Sequence, residues 1–225
     1  MGHPLELGPY RGLRPLGLAA GASRFKPGLD NPSTIEAQAV SVSLDPLRSL
    51  LTRSWVLQFQ IDRARVDLRR NSQGSLWQLG RVPAGGQPPP LTLRYGLSGG
   101  PAQVRIHGAK GEPTSLALEG SLSVDLRRRR LDTNTQLRSR EAGQLRVEVR
   151  NDWQRQRLQL QLQPQALQLA TLLPFLPGEV KADVRGALNG RLRLERTAST
   201  NRCQGQLDLS GLRWVPGAVS YTHLR

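Results

Sequence analysis

The stretch Arg157-Leu158-Gln159-Leu160-Gln161-Leu162-Gln163 alternates leucine with a polar side chain at every step. Successive side chains of a strand point to opposite faces, so this spacing makes one face wholly apolar and the other wholly polar. Wound into a helix, the same leucines would be spread around the whole circumference. The alternation recurs at Leu116, Leu118, Leu122, Val124 and Leu126, at Leu145, Val147 and Val149, and at Val180, Ala182 and Val184. It returns at Leu192 and Leu194 and again at Leu207 and Leu209. The chain is therefore predicted to be all-β, a long run of strands that display one apolar face.

Such a face has to be covered by helices, by a second sheet or by a ligand. Two segments break the strand pattern. In Asp45–Arg53 an Asp stands at N-cap, Pro46 at N1, and Leu47, Leu50 and Leu51 mark one side of a short amphipathic helix. In Pro164–Pro177, Leu167, Leu169, Leu172 and Leu173 crowd between prolines and suggest a second helix. Two short helices cannot cover a dozen strands. That leaves a sheet curled onto itself as a sandwich, or an open trough whose inner face meets acyl chains. With 37% hydrophobic and 4% aromatic residues, a thick conventional core is hard to build.

Local irregularities are also legible. Ile35, Ala37 and Ala39 keep one phase and Val40, Val42 and Leu44 the other, which calls for a bulge near Ala39 and Val40. Trp55, Leu57, Phe59 and Ile61 are likewise followed by Ala64, Val66 and Leu68 out of phase. Turns are expected at Asp30–Ser33, Asn71–Gly74 and Lys110–Pro113, a loop over Pro83–Pro90, and a hairpin at Asn151–Gln154. Residues 180–195 conflict: the apolar phase runs on through Gly186, Leu188 and Gly190, yet Asn189-Gly190 is a strong hairpin signal, and the hairpin is the reading adopted.

The formal charge is +15 and nearly all arginine, since only Lys26, Lys110 and Lys181 are lysines. Such an excess suggests an anionic neighbour or a solvated basic surface. The run Arg127, Arg128, Arg129, Arg130 could contact nucleic-acid phosphates. Single-strand binders, however, interleave stacking aromatics with their basic residues, and none lies near this run. It reads better as a strand-end turn lying on anionic headgroups, and no nucleic-acid partner is expected. A transmembrane barrel would need aromatic girdles that these strands lack. No run approaches the roughly 20 apolar residues of a spanning helix. His3, His107 and His223 are far apart, no phosphate loop or Gly-x-Ser-x-Gly occurs, and Cys203 is the sole cysteine. An enzyme is not expected, nor a metal or cofactor.

Three features together resemble the AsmA-like envelope proteins. The first is Leu5-Glu6-Leu7-Gly8-Pro9-Tyr10 opening a glycine-rich segment that ends in Asp30-Asn31-Pro32-Ser33-Thr34. The second is the strand Glu36–Leu44 running into Asp45–Arg53, followed by strands ending in Asn71-Ser72-Gln73-Gly74-Ser75-Leu76-Trp77. The third is the repeated Gly-x-Leu-x-Leu pattern, at Gly120-Ser121-Leu122-Ser123-Val124, Gly190-Arg191-Leu192-Arg193-Leu194 and Gly205-Gln206-Leu207-Asp208-Leu209. The resemblance covers roughly residues 4 to 218. It implies an elongated curved antiparallel sheet or U-shaped β groove of many short strands with two short helices.

The family is anchored in the inner membrane, extends through the periplasm and serves outer-membrane biogenesis, with links to phospholipid transfer and protein secretion. On this reading Leu116, Leu118, Leu122, Val124, Leu126, Leu158, Leu160, Leu162, Leu192, Leu194, Leu207 and Leu209 line a groove for phospholipid acyl chains. Arg127–Arg130 face an anionic membrane surface, and a further partner would be an outer-membrane barrel assembly protein. The chain departs from the family in lacking its anchor helix and carboxy-terminal domain. Residues 1–218 are therefore expected to be one elongated β region of a longer protein, and 219–225 to be a translated adapter tail.

Overall fold

A computed structural model describes residues 5–14, 16–27, 32–71, 89–107, 113–139, 141–171 and 182–216. These build one open β-sheet, with a single short α-helix among the described residues. The first five strand paths each come in two segments. They are β1 (Leu5–Glu6) with β2 (Tyr10–Arg14), β3 (Gly17–Ala20) with β4 (Ser23–Phe25), and β5 (Thr34–Ala37) with β6 (Ala39–Leu44). Then come β7 (Trp55–Asp62) with β8 (Arg65–Leu68), and β9 (Leu91–Ser98) with β10 (Ala102–Ile106). The later strands are longer: β11 (Thr114–Asp125), β12 (Arg130–Ser139), β13 (Gly143–Asp152) and β14 (Arg157–Gln165). The two-residue β15 (Leu167–Gln168) prolongs β14, and β16 (Ala182–Arg196) and β17 (Asn201–Pro216) close the series. Helix α1 (Pro46–Thr52) sits between β6 and β7.

Spatial order follows chain order. The paths pair as antiparallel neighbours from the first to the last, except that β7 and β8 lie parallel to β9 and β10. Strand β11 is the junction: its first half pairs with β10, its second half with β9, and its other edge with β12.

The two phase changes foreseen in the sequence, near Ala39-Val40 and between Ile61 and Ala64, belong to a line of breaks across the sheet. The path breaks at Gly21-Ala22, at Gln38, at Arg63-Ala64 and at Gly99-Gly100-Pro101. Gln38 lies opposite this break in the next path, its N–H donating to the Asp62 carbonyl at 3.0 Å. Arg63 takes a left-handed φ of 45° to turn its strand. Because neighbouring paths slip together, Ile35 still pairs with Val66 and Val40 with Ile61, and apolar residues stay on one face on both sides of the crease. The slip expected at Ala39 and Val40 is absorbed one residue earlier.

Several expectations need correction. The sheet is neither closed nor strongly curled, so the predicted curved sheet or U-shaped groove is not the architecture. Period-two spacing fixes the face a side chain takes but says nothing of curvature. Nor, among the described residues, does any pairing join β1 and β2 at one edge to β17 at the other. The predicted second helix is overturned where it is described: Pro164 and Gln165 belong to β14, Leu167 pairs with Leu188, and a 3₁₀ turn follows at 169–171. Pro164 is tolerated because β14 has already passed its last pair with β16, Leu162 with Leu192, so no ladder bond needs its missing N–H. Asn189-Gly190 is not a hairpin but the middle of β16, and the Asn189 Oδ1 accepts the Ala166 N–H at 2.7 Å. Parts of the turns expected at Asp30–Ser33 (30–31) and Asn71–Gly74 (72–74), Leu76–Leu79, most of the 83–90 loop, residues 108–112, 172–181 and the tail at 219–225 lie outside the described residues.

Helix α1 forms as its sequence dictates. The Asp45 carboxylate accepts the Arg48 N–H at 3.0 Å, proline opens the first turn, and Arg53 ends it in the left-handed region. The sheet has little core. A compact protein of this mass exposes roughly 10,000 Å², whereas this chain exposes 16148 Å². One small cluster is closed: Val104, Ile106, Leu116 and Ala142, with Val66, Leu68, Leu118 and Leu137 packed against it.

Candidate functional site

The strand registers bring the predicted apolar residues together. Leu122 pairs with Tyr95 on one side and Thr133 on the other, and the row runs on through Val149, Leu160 and Leu194. A parallel row joins Leu93, Val124, Leu131, Asn151 and Leu158. A third runs from Thr135 through Val147 and Leu162 to Leu192. Leu118 meets Leu137 and then Leu145, Leu116 meets Val104, Gly190 meets Leu207 and Leu188 meets Leu209. Leu116, Leu118, Leu122, Val124, Leu158, Leu160, Leu162, Leu192, Leu194, Leu207 and Leu209 therefore share one face. Leu126 does not: it falls in the turn after β11, where its N–H donates to the Leu91 carbonyl at 2.9 Å.

Cover on this face is graded. Ile106 at the closed cluster is 1% exposed, the leucines of β14 are half-buried, and Leu209 on β17 is 47% exposed. Sequence reading missed the middle of the face on the amino-terminal side. There Phe59 and Tyr95 pair across the parallel strands β7 and β9 and stack at 5.0 Å between ring centroids, 18° apart. Burial raises the Tyr95 phenol above its ordinary pKa. The signal was out of reach because parallel partners are joined through a long crossover, and neither residue announces the other.

The opposite face is mostly polar, with Val56 a buried exception beneath α1. Gln159 donates to Glu195 at 3.0 Å, Arg193 reaches the same carboxylate at 2.8 Å, and Arg146 meets Glu148 at 3.1 Å. Two open cavities lie on this polar side. One, of about 970 Å³, follows the crease past Arg24, Glu36, Gln38 and Arg65, and one of about 600 Å³ lies over β12–β14. Neither is lined as an acyl-chain site would be. His107, just past β10, lies 3.4 Å from Asp67 Oδ1 on the polar face and is partly exposed. No group of three or more His, Cys, Asp or Glu residues capable of holding a metal occurs among the described residues.

The arginine run closes one end of the sheet. Arg127–Arg129 form the β11–β12 turn, and Arg130 opens β12 and pairs with Asp152 at 3.3 Å. The Arg127 guanidinium donates to the Arg53 carbonyl at the end of α1, at 3.0 Å. Asp125 and Asp152 cap equivalent turns, accepting the N–H of Arg128 at 2.8 Å and of Arg155 at 2.9 Å. The Arg155 backbone N–H, then Arg130, hold the Asp152 carboxyl below its ordinary pKa, and Arg193 does the same for Glu195.

A carboxyl depressed in the folded state stabilises the fold above its unfolded pKa of about 4 and loses that contribution as pH falls through the lower folded value. Thermal melting from neutral pH down to about pH 2.5 should therefore show a loss of stability below about pH 4 that Asp152→Asn makes shallower. An identical acid profile in the variant would remove Asp152 from the account.

Fold and site together define a class, an open sheet with one apolar and one basic polar face. No helix among the described residues is long and apolar enough to cross a membrane. No family profile, curated protein or solved structure matches the chain.

Proposed function

We propose that the apolar sheet face carries phospholipid acyl chains. On this reading the chain is part of an AsmA-like envelope protein of the translocation and assembly module kind. It would act between inner and outer membranes in lipid transfer and outer-membrane biogenesis, with a link to outer-membrane protein assembly. The observation that carries the reading is the contrast along one face: Ile106 is sealed, whereas Leu160, Leu194 and Leu209, continuous with it through the registers, are not. An uncovered apolar face of this extent marks an interaction surface. Strands with leucine on one side and glutamine on the other offer acyl chains a largely apolar track, interrupted at Thr133, Thr135 and Asn151.

The test is extraction of a fluorescent phospholipid from donor vesicles by the whole chain. Extraction is expected, and Leu160→Asp together with Leu194→Asp should reduce it by about tenfold or more, since each puts a charge where hydrocarbon would lie. Extraction unaffected by both changes would contradict the reading.

A further inference from the structure

Helix α1 is amphipathic the wrong way round for a helix packed on a sheet. Leu47, Leu50 and Leu51 fall at i, i+3 and i+4, one stripe of the helix, and are 74%, 78% and 82% exposed. The side turned to the sheet is polar: the Ser49 hydroxyl donates to the Asp45 carbonyl at 2.6 Å and accepts the Val56 N–H at 2.9 Å. Trp55, three residues past the helix, and Trp153, in the β13–β14 turn, are exposed as well. They belong to one end of the sheet, because Arg127 binds the Arg53 carbonyl and the Trp153 N–H donates to the Arg129 carbonyl at 2.9 Å.

Charge at this end is sorted. The carboxylates of Asp45, Asp125 and Asp152 are turned inward to cap backbone N–H groups. The guanidiniums of Arg48, Arg128 and Arg155 lie over those same carboxylates, at 3.4, 3.9 and 3.9 Å, with more than half of each arginine side chain in solvent. Arg53, Arg127 and Arg129 add three more cations to the same end, so guanidiniums are in excess around the apolar stripe and the carboxylates beneath them are mostly covered.

We infer that this end docks on an anionic phospholipid bilayer. Leu47, Leu50, Leu51 and the two tryptophans enter the headgroup–acyl boundary, and the arginines lie on the lipid phosphates. Interfacial helices combine an apolar side with Lys or Arg and tryptophan in this way. A nucleic acid would use the arginines but leave the leucine stripe in water. A second copy would bring the same cations together. Trp55 also sits at the α1 end of the row that holds Leu91, so the bilayer would meet the apolar face at its margin. The docking rests on exposure and charge at this end and stands even if no lipid moves along the sheet.

The experiment is flotation of the whole chain with vesicles of phosphatidylcholine alone or with about a third phosphatidylglycerol. Binding is expected on the anionic vesicles, at least about tenfold above the neutral ones and weakening with salt. The triple variant Leu47→Ser, Leu50→Ser, Leu51→Ser should lose about tenfold of that binding with an unchanged circular dichroism spectrum. Replacing Arg127 to Arg130 with glutamine should also lower it and flatten its salt dependence. A second measurement labels Leu50→Cys, in a Cys203→Ser background, with an environment-sensitive dye, whose emission should shift to the blue on anionic vesicles only. The inference is overturned if the leucine variant floats as the wild type does, if the dye does not shift, or if the leucines instead hold the chain in a dimer that the triple variant dissolves. Phospholipid extraction, scored separately, reports on the sheet face and not on the docking.

Discussion

Gly190→Val and Gly205→Val are each expected to destabilise the β16–β17 pair by about 3 kcal/mol or more. The two glycines sit on facing strands, Gly190 opposite Leu207 and Gly205 opposite Leu192. Their φ angles are +129° and +151°, in a region of backbone space open essentially to glycine alone. A Cβ on Gly190 would lie 2.2 Å from the Gln206 carbonyl oxygen, and one on Gly205 would lie 2.1 Å from that of Arg191. Both obstacles are backbone of the partner strand, so relief requires breaking the ladder. Gly96→Ala is the control, because no atom lies within 4 Å of the added carbon. Melting curves and amide exchange should show loss concentrated in β16 and β17 for the valine variants and near wild-type behaviour for the control. Equal stability of all three would remove close strand approach as the reason for the Gly-x-Leu-x-Leu pattern.

Ile106→Asp should cost roughly 3–5 kcal/mol, because it places a carboxylate in the closed Val104–Ile106–Leu116 cluster with no partner to receive it. Leu160→Asp, on the same apolar face, should cost less than about 1.5 kcal/mol, since its site is half-buried and water reaches a new charge there. Denaturant unfolding of the two variants measures the difference directly. A Leu160→Asp chain as unstable as Ile106→Asp would mean that protein covers the whole face.

The sharing of one face by Leu122, Leu160 and Leu194 was legible because a period of two survives any register that pairs strands in order. The α1 boundaries were legible too, since Asp45 and Pro46 carry their own stop-and-start chemistry. Curvature was not, for alternation is the same in a flat sheet and a trough. Asn189-Gly190 misled because a positive φ serves a tight turn and a close strand approach equally well, and only the partner strand decides. The stripe of α1 gave its spacing but not its direction. Ser49 hydrogen bonds turn the leucines outward, against the rule that apolar sides face the sheet. Leu126 failed as a face residue because the cap on Asp125 ends the strand one step before it.

The central claim, that hydrocarbon rather than protein covers the apolar face, is tested most directly by a photocrosslinking side chain placed in cells at position 160 and, separately, at 161. Leu160 lies on the apolar face and Gln161 on the polar one, across the same backbone. The account predicts phospholipid adducts at 160 and none at 161. Protein adducts alone at 160, or equal lipid adducts at both positions, would contradict it.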